Sequence, residues 1–211
     1  GVTNVQGGNL IVNGTNSGTG AVNVMKDATL SGEGSIAGAV CVDAGATIQA
    51  GDFEKGANGA KLSLKSSLTV KSCGIVNVLL EGTSNNVIAS DAVTLEDGAV
   101  IQMGDADVPM TFVDGEVFKV FSSGVTLGGT VKMIPEKPGE GQVWDLTSLS
   151  TEGIVKVATA TGVGNISMQE IPAKVEYYDL SGRKISNVGD GAYLLRLTTK
   201  AGKVVTRKIM K

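Results

Sequence analysis

The chain has 211 residues, a formal net charge of −3 and no histidine. That excludes His-dependent triads, His zinc sites and His bases, and the acidic balance argues against nucleic acid as a partner. Hydrophobic residues make up 42% but aromatics only 4%, so any core must be built from Val, Ile, Leu and Ala. Thirty glycines with four prolines and no collagen period point to many tight turns rather than to low complexity. Two cysteines cannot define a disulfide framework, and no apolar run reaches the roughly 18 residues needed to span a membrane. The chain opens in mid-pattern and so reads as the C-terminal piece of a longer protein. The missing signal peptide therefore says nothing about export.

Taken in order, GGNLIVNG (residues 7–14) predicts a short strand from Leu10 to Val12 between glycine turns. The next stretch holds two copies of one unit. GAVNVMKDATLSGEG (residues 20–34) lies over GAVCVDAGATIQAGD (residues 38–52) without a gap, at an offset of 18. Val22 and Val24, like Val40 and Val42, alternate as a strand with one buried face would. A turn then leads to a second short strand carrying Leu30 or Ile48. The unit returns in SLTVKSCGIVNV (residues 67–78), with Leu68 over Val40 and Val70 over Val42, and in AVTLEDGAVIQMGD (residues 92–105), with Val93 over Val40 and Ile101 over Ile48. A last echo is VTLGGTVKM (residues 125–133).

The anchor position thus steps through 22, 40, 68, 93 and 125, which predicts five or six stacked rungs of a parallel β-helix. A single rung buries too few aliphatic side chains to offset its ordering entropy, so stability must come from stacking. An antiparallel sandwich would give similar turn spacing, but the gapless repeats favour the solenoid. Residues 84–91 and 104–117 read as corner loops, and Pro109 argues against a central strand there. Phe112, Phe118, Phe121 and Trp144 arrive as the repeat fades. They read as a closing layer in a capping region of about 109–158 rather than as an aromatic ligand platform. WDLTSLSTEGIVKV (residues 144–157) returns to a strand.

Residues 159–170 read as a small-residue linker. Beyond it the composition changes: residues 166–211 hold nine Lys or Arg against four acids, +5 in all, which leaves −8 on residues 1–165. Strand candidates Ala173–Leu180, Gly191–Thr198 and Lys203–Met210 predict a small antiparallel module.

Few residues suggest chemistry. Cys41 alternates with inward Val40 and Val42, which places it on the outer surface, and in this register it lies over Thr69 rather than Cys73. That disfavours a rung-to-rung disulfide and leaves two isolated cysteines. Polysaccharide lyases and hydrolases often use parallel β-helices, but residues 1–165 contain no arginine base. Asp52 and Glu54, Asp105 and Asp107, and Asp91 and Glu96 sit at turns. Stacking would bring Asp52 and Asp105 to one side, where a carboxylate or calcium site competes with the simpler reading of solvated turn acids. The glycine clusters GEGSIAG and GVGNIS lack a Walker lysine and read as turns. No catalytic, cofactor-binding or metal-binding residue is assigned.

Two resemblances add to this reading. GNLIVNGTNSGTGAVNV and DATLSGEGSIAGAVCVDAGATIQAGD resemble the passenger-associated transport repeat of autotransporter-type bacterial surface proteins, with looser likeness through VTLEDGAVIQM and WDLTSLSTEGIVKV. The resemblance implies an all-β, right-handed parallel β-helix (solenoid) over residues 1–158, presented outside the cell and commonly adhesive. YYDLSGRKI, GAYLLRL and KVVTRKIMK resemble the C-terminal sorting domain of type IX secretion cargo in Bacteroidetes. That likeness assigns Tyr178, Asp179, Gly182 and Arg183 to a turn motif, Gly191 and Tyr193 to a hairpin glycine and aromatic, and Lys208 and Ile209 to a terminal signal, within a small antiparallel β module at 171–211.

Together they imply a non-catalytic stalk and sorting or anchoring region of a secreted or outer-membrane-surface, adhesin-like protein of a Gram-negative bacterium. Its partners would be the secretion machinery, through the tail, and host or matrix glycans or proteins. A carbohydrate-active or carbohydrate-binding β-helix fragment, using Trp144 or the late phenylalanines, is the alternative.

Overall fold

The computed structural model describes residues 1–52, 59–81, 84–105, 108, 110–160, 172–185, 192–199 and 204–210. Residues 1–160 and 161–211 form two compact units.

The first unit is a parallel β-helix of six rungs. Rung 1 comprises β1 (Thr3–Val5), β2 (Gly8–Ile11) and β3 (Thr15–Asn16); rung 2, β4 (Val22–Val24), β5 (Ala28–Ser31) and β6 (Ser35–Ile36). Rung 3 comprises β7 (Val40–Val42), β8 (Thr47–Gln49) and β9 (Lys61–Leu64). Rung 4 runs through β10 (Ser67–Val70) and β11 (Ile75–Val78), makes a side pair of β12 (Leu80–Glu81) with β13 (Ser84–Asn85), and closes with β14 (Val87–Ala89). Rung 5 gives β15 (Ala92–Leu95) and β16 (Val100–Met103), and β17 (Val117–Lys119) leaves for the cap. Rung 6 gives β18 (Thr126–Leu127) and β19 (Lys132–Ile134). Strands of like position stack into three parallel sheets: β1-β4-β7-β10-β15-β18, β2-β5-β8-β11-β16-β19 and β3-β6-β9-β14.

The register matches the repeat read from sequence. Val22, Val40, Leu68 and Val93 are successive partners on the first face, and Leu30, Ile48, Val76 and Ile101 on the second. These inward columns are almost wholly buried and form one continuous aliphatic core. Alternation dictates this arrangement, because a slip of one residue would send every valine to solvent.

The third face corrects the sequence reading. Residues 84–91 are not a plain corner loop: Val87–Ala89 is a strand in parallel register with Lys61–Ser63, and Ile88 adds a bridge to Phe121. The strand expected at Leu10 to Val12 is instead Gly8–Ile11, and Thr3–Val5 is a strand that the alternation of a single short run did not signal. Pro109 lies outside the described residues.

The corner between the first two faces explains the turn chemistry. Four turns, 25–28, 43–46, 71–74 and 96–99, each close with a hydrogen bond from the fourth N–H to the first carbonyl, 2.8–3.0 Å long. Their third residues, Asp27, Gly45, Cys73 and Gly98, all have positive φ (64°, 73°, 60° and 80°), as a type II turn requires. The same residues link the rungs into a spine: Asp27 N–H donates to Gly45 C=O, Gly45 N–H to Cys73 C=O, and Cys73 N–H to Gly98 C=O. Glycine suits this backbone; Cys73 is held there by its neighbours. Cys73→Val should cost about 1–2 kcal/mol, whereas Cys73→Gly should leave stability level or slightly raised. Chemical denaturation of both variants checks the order, and equal losses would show that the turn is not the constraint.

Beyond the third face the chain adds a further sheet. β17, β21 (Ile154–Thr159) and β20 (Gln142–Asp145) form an antiparallel sheet in the order β17-β21-β20, with the single turn of helix α1 (Leu149–Glu152) between β20 and β21. Residues 144–157 therefore hold a helical turn as well as strands. Phe112, Phe118, Phe121, Leu149, Val155 and Val157 are buried beneath this sheet. Phe112 meets Phe118 and Trp144 edge-on, with centroids 5.8 and 4.9 Å apart. Phe112, Phe118 and Phe121 thus belong to the continuous apolar core, with Trp144 packed against it.

The second unit is a four-stranded antiparallel sheet in the order β23-β22-β24-β25, with β22 at Pro172–Tyr178, β23 at Lys184–Ile185, β24 at Ala192–Thr199 and β25 at Val204–Met210. Of the expected linker, residues 161–170 lie outside the described residues; Thr159 ends β21.

Candidate functional site

The residues singled out by the sorting-domain resemblance lie in the second unit. Asp179 follows β22 and organises the turn to β23. Its Oδ1 accepts from Ser181 N–H (3.0 Å), Ser181 Oγ (2.6 Å) and Arg183 N–H (2.8 Å), and its Oδ2 from Arg183 Nε (3.3 Å). Gly182, with φ 86°, lets the chain reverse, and its N–H donates to Asp179 C=O. The Ser181 hydroxyl and then the Arg183 N–H hold the Asp179 carboxyl below its ordinary range. The turn satisfies its own polar groups, yet the Arg183 side chain remains 84% exposed.

The pairing brings distant motif residues into adjacent rows. Tyr178 and Lys208 both pair with Leu194, on opposite sides of β24, and Tyr193 pairs with Ile209. Gly191 lies outside the described residues. The sequence reading missed one aromatic. Tyr177 rather than Tyr178 meets Tyr193, with ring centroids 5.8 Å apart. Strand parity was the available signal: Tyr177 pairs with Leu195, two residues from Tyr193 and on the same face.

Beside the turn, Glu176 accepts from Lys184 Nζ at 2.8 Å and lies 3.0 Å from Lys174 Nζ. The hydrogen bond from Lys184, then that from Lys174, lowers its pKa to about 2. A carboxyl whose folded value is depressed stabilises the fold fully above its unfolded pKa, and loses that contribution as pH falls through the folded one. The pairing should therefore persist until pH falls to about 2, while its contribution to stability fades as pH falls from about 4.5 toward 2. An NMR titration of the Glu176 side-chain carbonyl checks this; a midpoint at the ordinary glutamate value would refute the pairing.

On the solenoid, Cys41 is half-buried, stacks on Thr69 and is free, as is Cys73. Burial is the main cause that raises the Cys41 thiol pKa; Lys71, which is 2.7 Å from Asp43 Oδ1, works against it. A thiol so held is not an activated nucleophile. Asp52 and Asp105 stand three residues beyond Gln49 and Gln102, whose strands are separated by the rung carrying Asn77. Glu54 and Asp107 lie outside the described residues. Asp91 and Glu96 flank opposite ends of β15. Among the described residues no group of three or more His, Cys, Asp or Glu is placed to hold a metal ion.

Trp144 lines an open groove of about 620 Å³ with Val100, Lys132, Met133 and Lys137. Its indole N–H donates to Pro135 C=O at 2.8 Å, and its ring packs on Phe112. Its polar atom and one ring contact are therefore committed to the cap. No described helix is long and apolar enough to cross a membrane.

Comparison with protein-family models, curated proteins and solved structures finds no match.

Proposed function

We propose that residues 1–160 serve as a non-catalytic β-helical stalk, and residues 161–211 as the sorting or anchoring tag, of a secreted or surface-attached, adhesin-like bacterial protein. The observation that carries this reading is the Asp179–Arg183 turn. A self-satisfied loop holds an exposed guanidinium at the end of a compact β unit separate from the solenoid. Such a turn can be read by a partner without local refolding, because its backbone donors are already bonded. The partner in this reading is the type IX secretion machinery; glycans or proteins of a host or matrix would be met through the rest of the surface protein. The stalk's outward columns are compatible with a spacer. On the first face they run Asn4, Asn23, Cys41, Thr69, Thr94 and Thr126, small side chains stacked in register.

Deleting residues 171–211 from the protein in its native host should abolish surface display and leave it in the periplasm. Surface labelling and fractionation measure this. Normal display of the truncated chain would end the sorting reading while leaving the stalk reading untouched.

A further inference from the structure

On the second face, Ile48, Val76 and Val78 point into the core, so Gln49 and Asn77, which alternate with them, point outward. The two are direct partners in the adjacent strands β8 and β11. Outward polar residues ordinarily meet water, yet Gln49 is 0% and Asn77 3% exposed. Two side-chain amides are therefore sealed from bulk solvent on the outer side of the sheet.

Sealed amides must find their hydrogen bonds inside the protein. Asn77 Nδ2 donates to Gln49 Oε1 at 3.1 Å, and that bond leaves Gln49 Nε2 and Asn77 Oδ1 without a protein partner. Exchanging nitrogen and oxygen in both amides only trades the roles, because one NH2 and one carbonyl oxygen stay open either way. The neighbours in the column are bonded elsewhere. Ser31 Oγ donates to Asn9 Oδ1 at 2.8 Å, and Gln102 Nε2 to Gly104 C=O at 3.2 Å. Asn86, also 3% exposed, gives the contrast: its Oδ1 accepts from Ala60 N–H at 2.8 Å and its Nδ2 donates to Ala50 C=O at 3.0 Å.

One open N–H and one open carbonyl oxygen on a bonded pair make a specific chemical demand. The N–H repels a cation and the carbonyl oxygen repels an anion, whereas a neutral molecule that both accepts and donates suits the two together. Enclosure limits that molecule to the smallest of its kind. We infer that Gln49 and Asn77 form an internal hydration site, in which an ordered water accepts from Gln49 Nε2, donates to Asn77 Oδ1 and so adds a second link between rung 3 and rung 4. A buried water needs about two to four polar partners, and these two atoms supply the minimum. This inference stands on the solenoid and is independent of the sorting reading.

The isotope-labelled full chain tests it, by cross-relaxation between water and side-chain amide protons in NMR. The Gln49 Nε2 protons should show a water cross-peak with the sign of a molecule that tumbles with the protein. The Asn86 Nδ2 protons, on an amide already bonded at both ends, should show none. The Gln49 peak should persist in Ser31→Ala, which removes the hydroxyl whose proton exchange could imitate it. No peak at Gln49, a peak with the sign of freely diffusing water, equal peaks at both amides, or loss of the peak in Ser31→Ala would each overturn the inference.

Discussion

Replacing Phe121 by alanine should destabilise the solenoid by about 3–5 kcal/mol, the range for truncating a fully buried aromatic. The ring is wholly buried and stands at the end of the third-face column, where Ile88 bridges to it and Leu62 lies below. Hydrogen bonds hold the segment around it. Phe121 N–H donates to Gly153 C=O, Ser122 N–H to Ile88 C=O and Ser122 Oγ to Ser90 C=O. The cavity left by alanine cannot collapse easily, because rung stacking fixes the strands on one side and the cap sheet fixes those on the other. Thermal unfolding followed by circular dichroism should show a midpoint lower by roughly 10 °C. A loss under about 1 kcal/mol would mean that the cap does not close the core.

A comparable loss is expected from Gly153→Val, for a different reason. Gly153 ends α1 with φ 71°, and its N–H donates to Leu149 C=O at 3.0 Å. Its own carbonyl accepts from both Val120 and Phe121 N–H. A Cβ there would press on Ser123 C=O and lie 2.6 Å from Phe121 C=O. A β-branched residue therefore meets two costs at once, about 1–3 kcal/mol for the left-handed backbone and a displacement of the segment that seats Phe121. We expect a loss of about 3 kcal/mol or more by urea denaturation, and weak additivity with Phe121→Ala because the two sites share that segment. Full additivity would show that the glycine acts only through its own dihedral.

The register of the first two faces was legible because their strands alternate cleanly. The steps from Val22 to Val40, Leu68 and Val93 keep every inward residue aliphatic, and the structure keeps the same partners. The third face was not legible, because Ser35–Ile36 and Val87–Ala89 are too short to show a period. The outward column Ser31, Gln49 and Asn77 was also hidden. Its residue types read as solvated, yet all three are buried, and Asn77 Nδ2 donates to Gln49 Oε1 at 3.1 Å. In the tail, the sequence placed Tyr178 in the motif, but only strand pairing reveals that Tyr177 is the aromatic beside Tyr193.

Alternation and turn composition by themselves determined that this chain stacks rungs, where the rungs begin, and that the repeat fades into a closing layer. These are local rules, since side-chain parity and left-handed turns depend on a few neighbouring residues. The tertiary structure decided what depends on residues far apart. The third face takes its register from the rung below, Phe121 finds its place over Ile88, and Gly153 must be glycine because Phe121 and Ser123 carbonyls close on it.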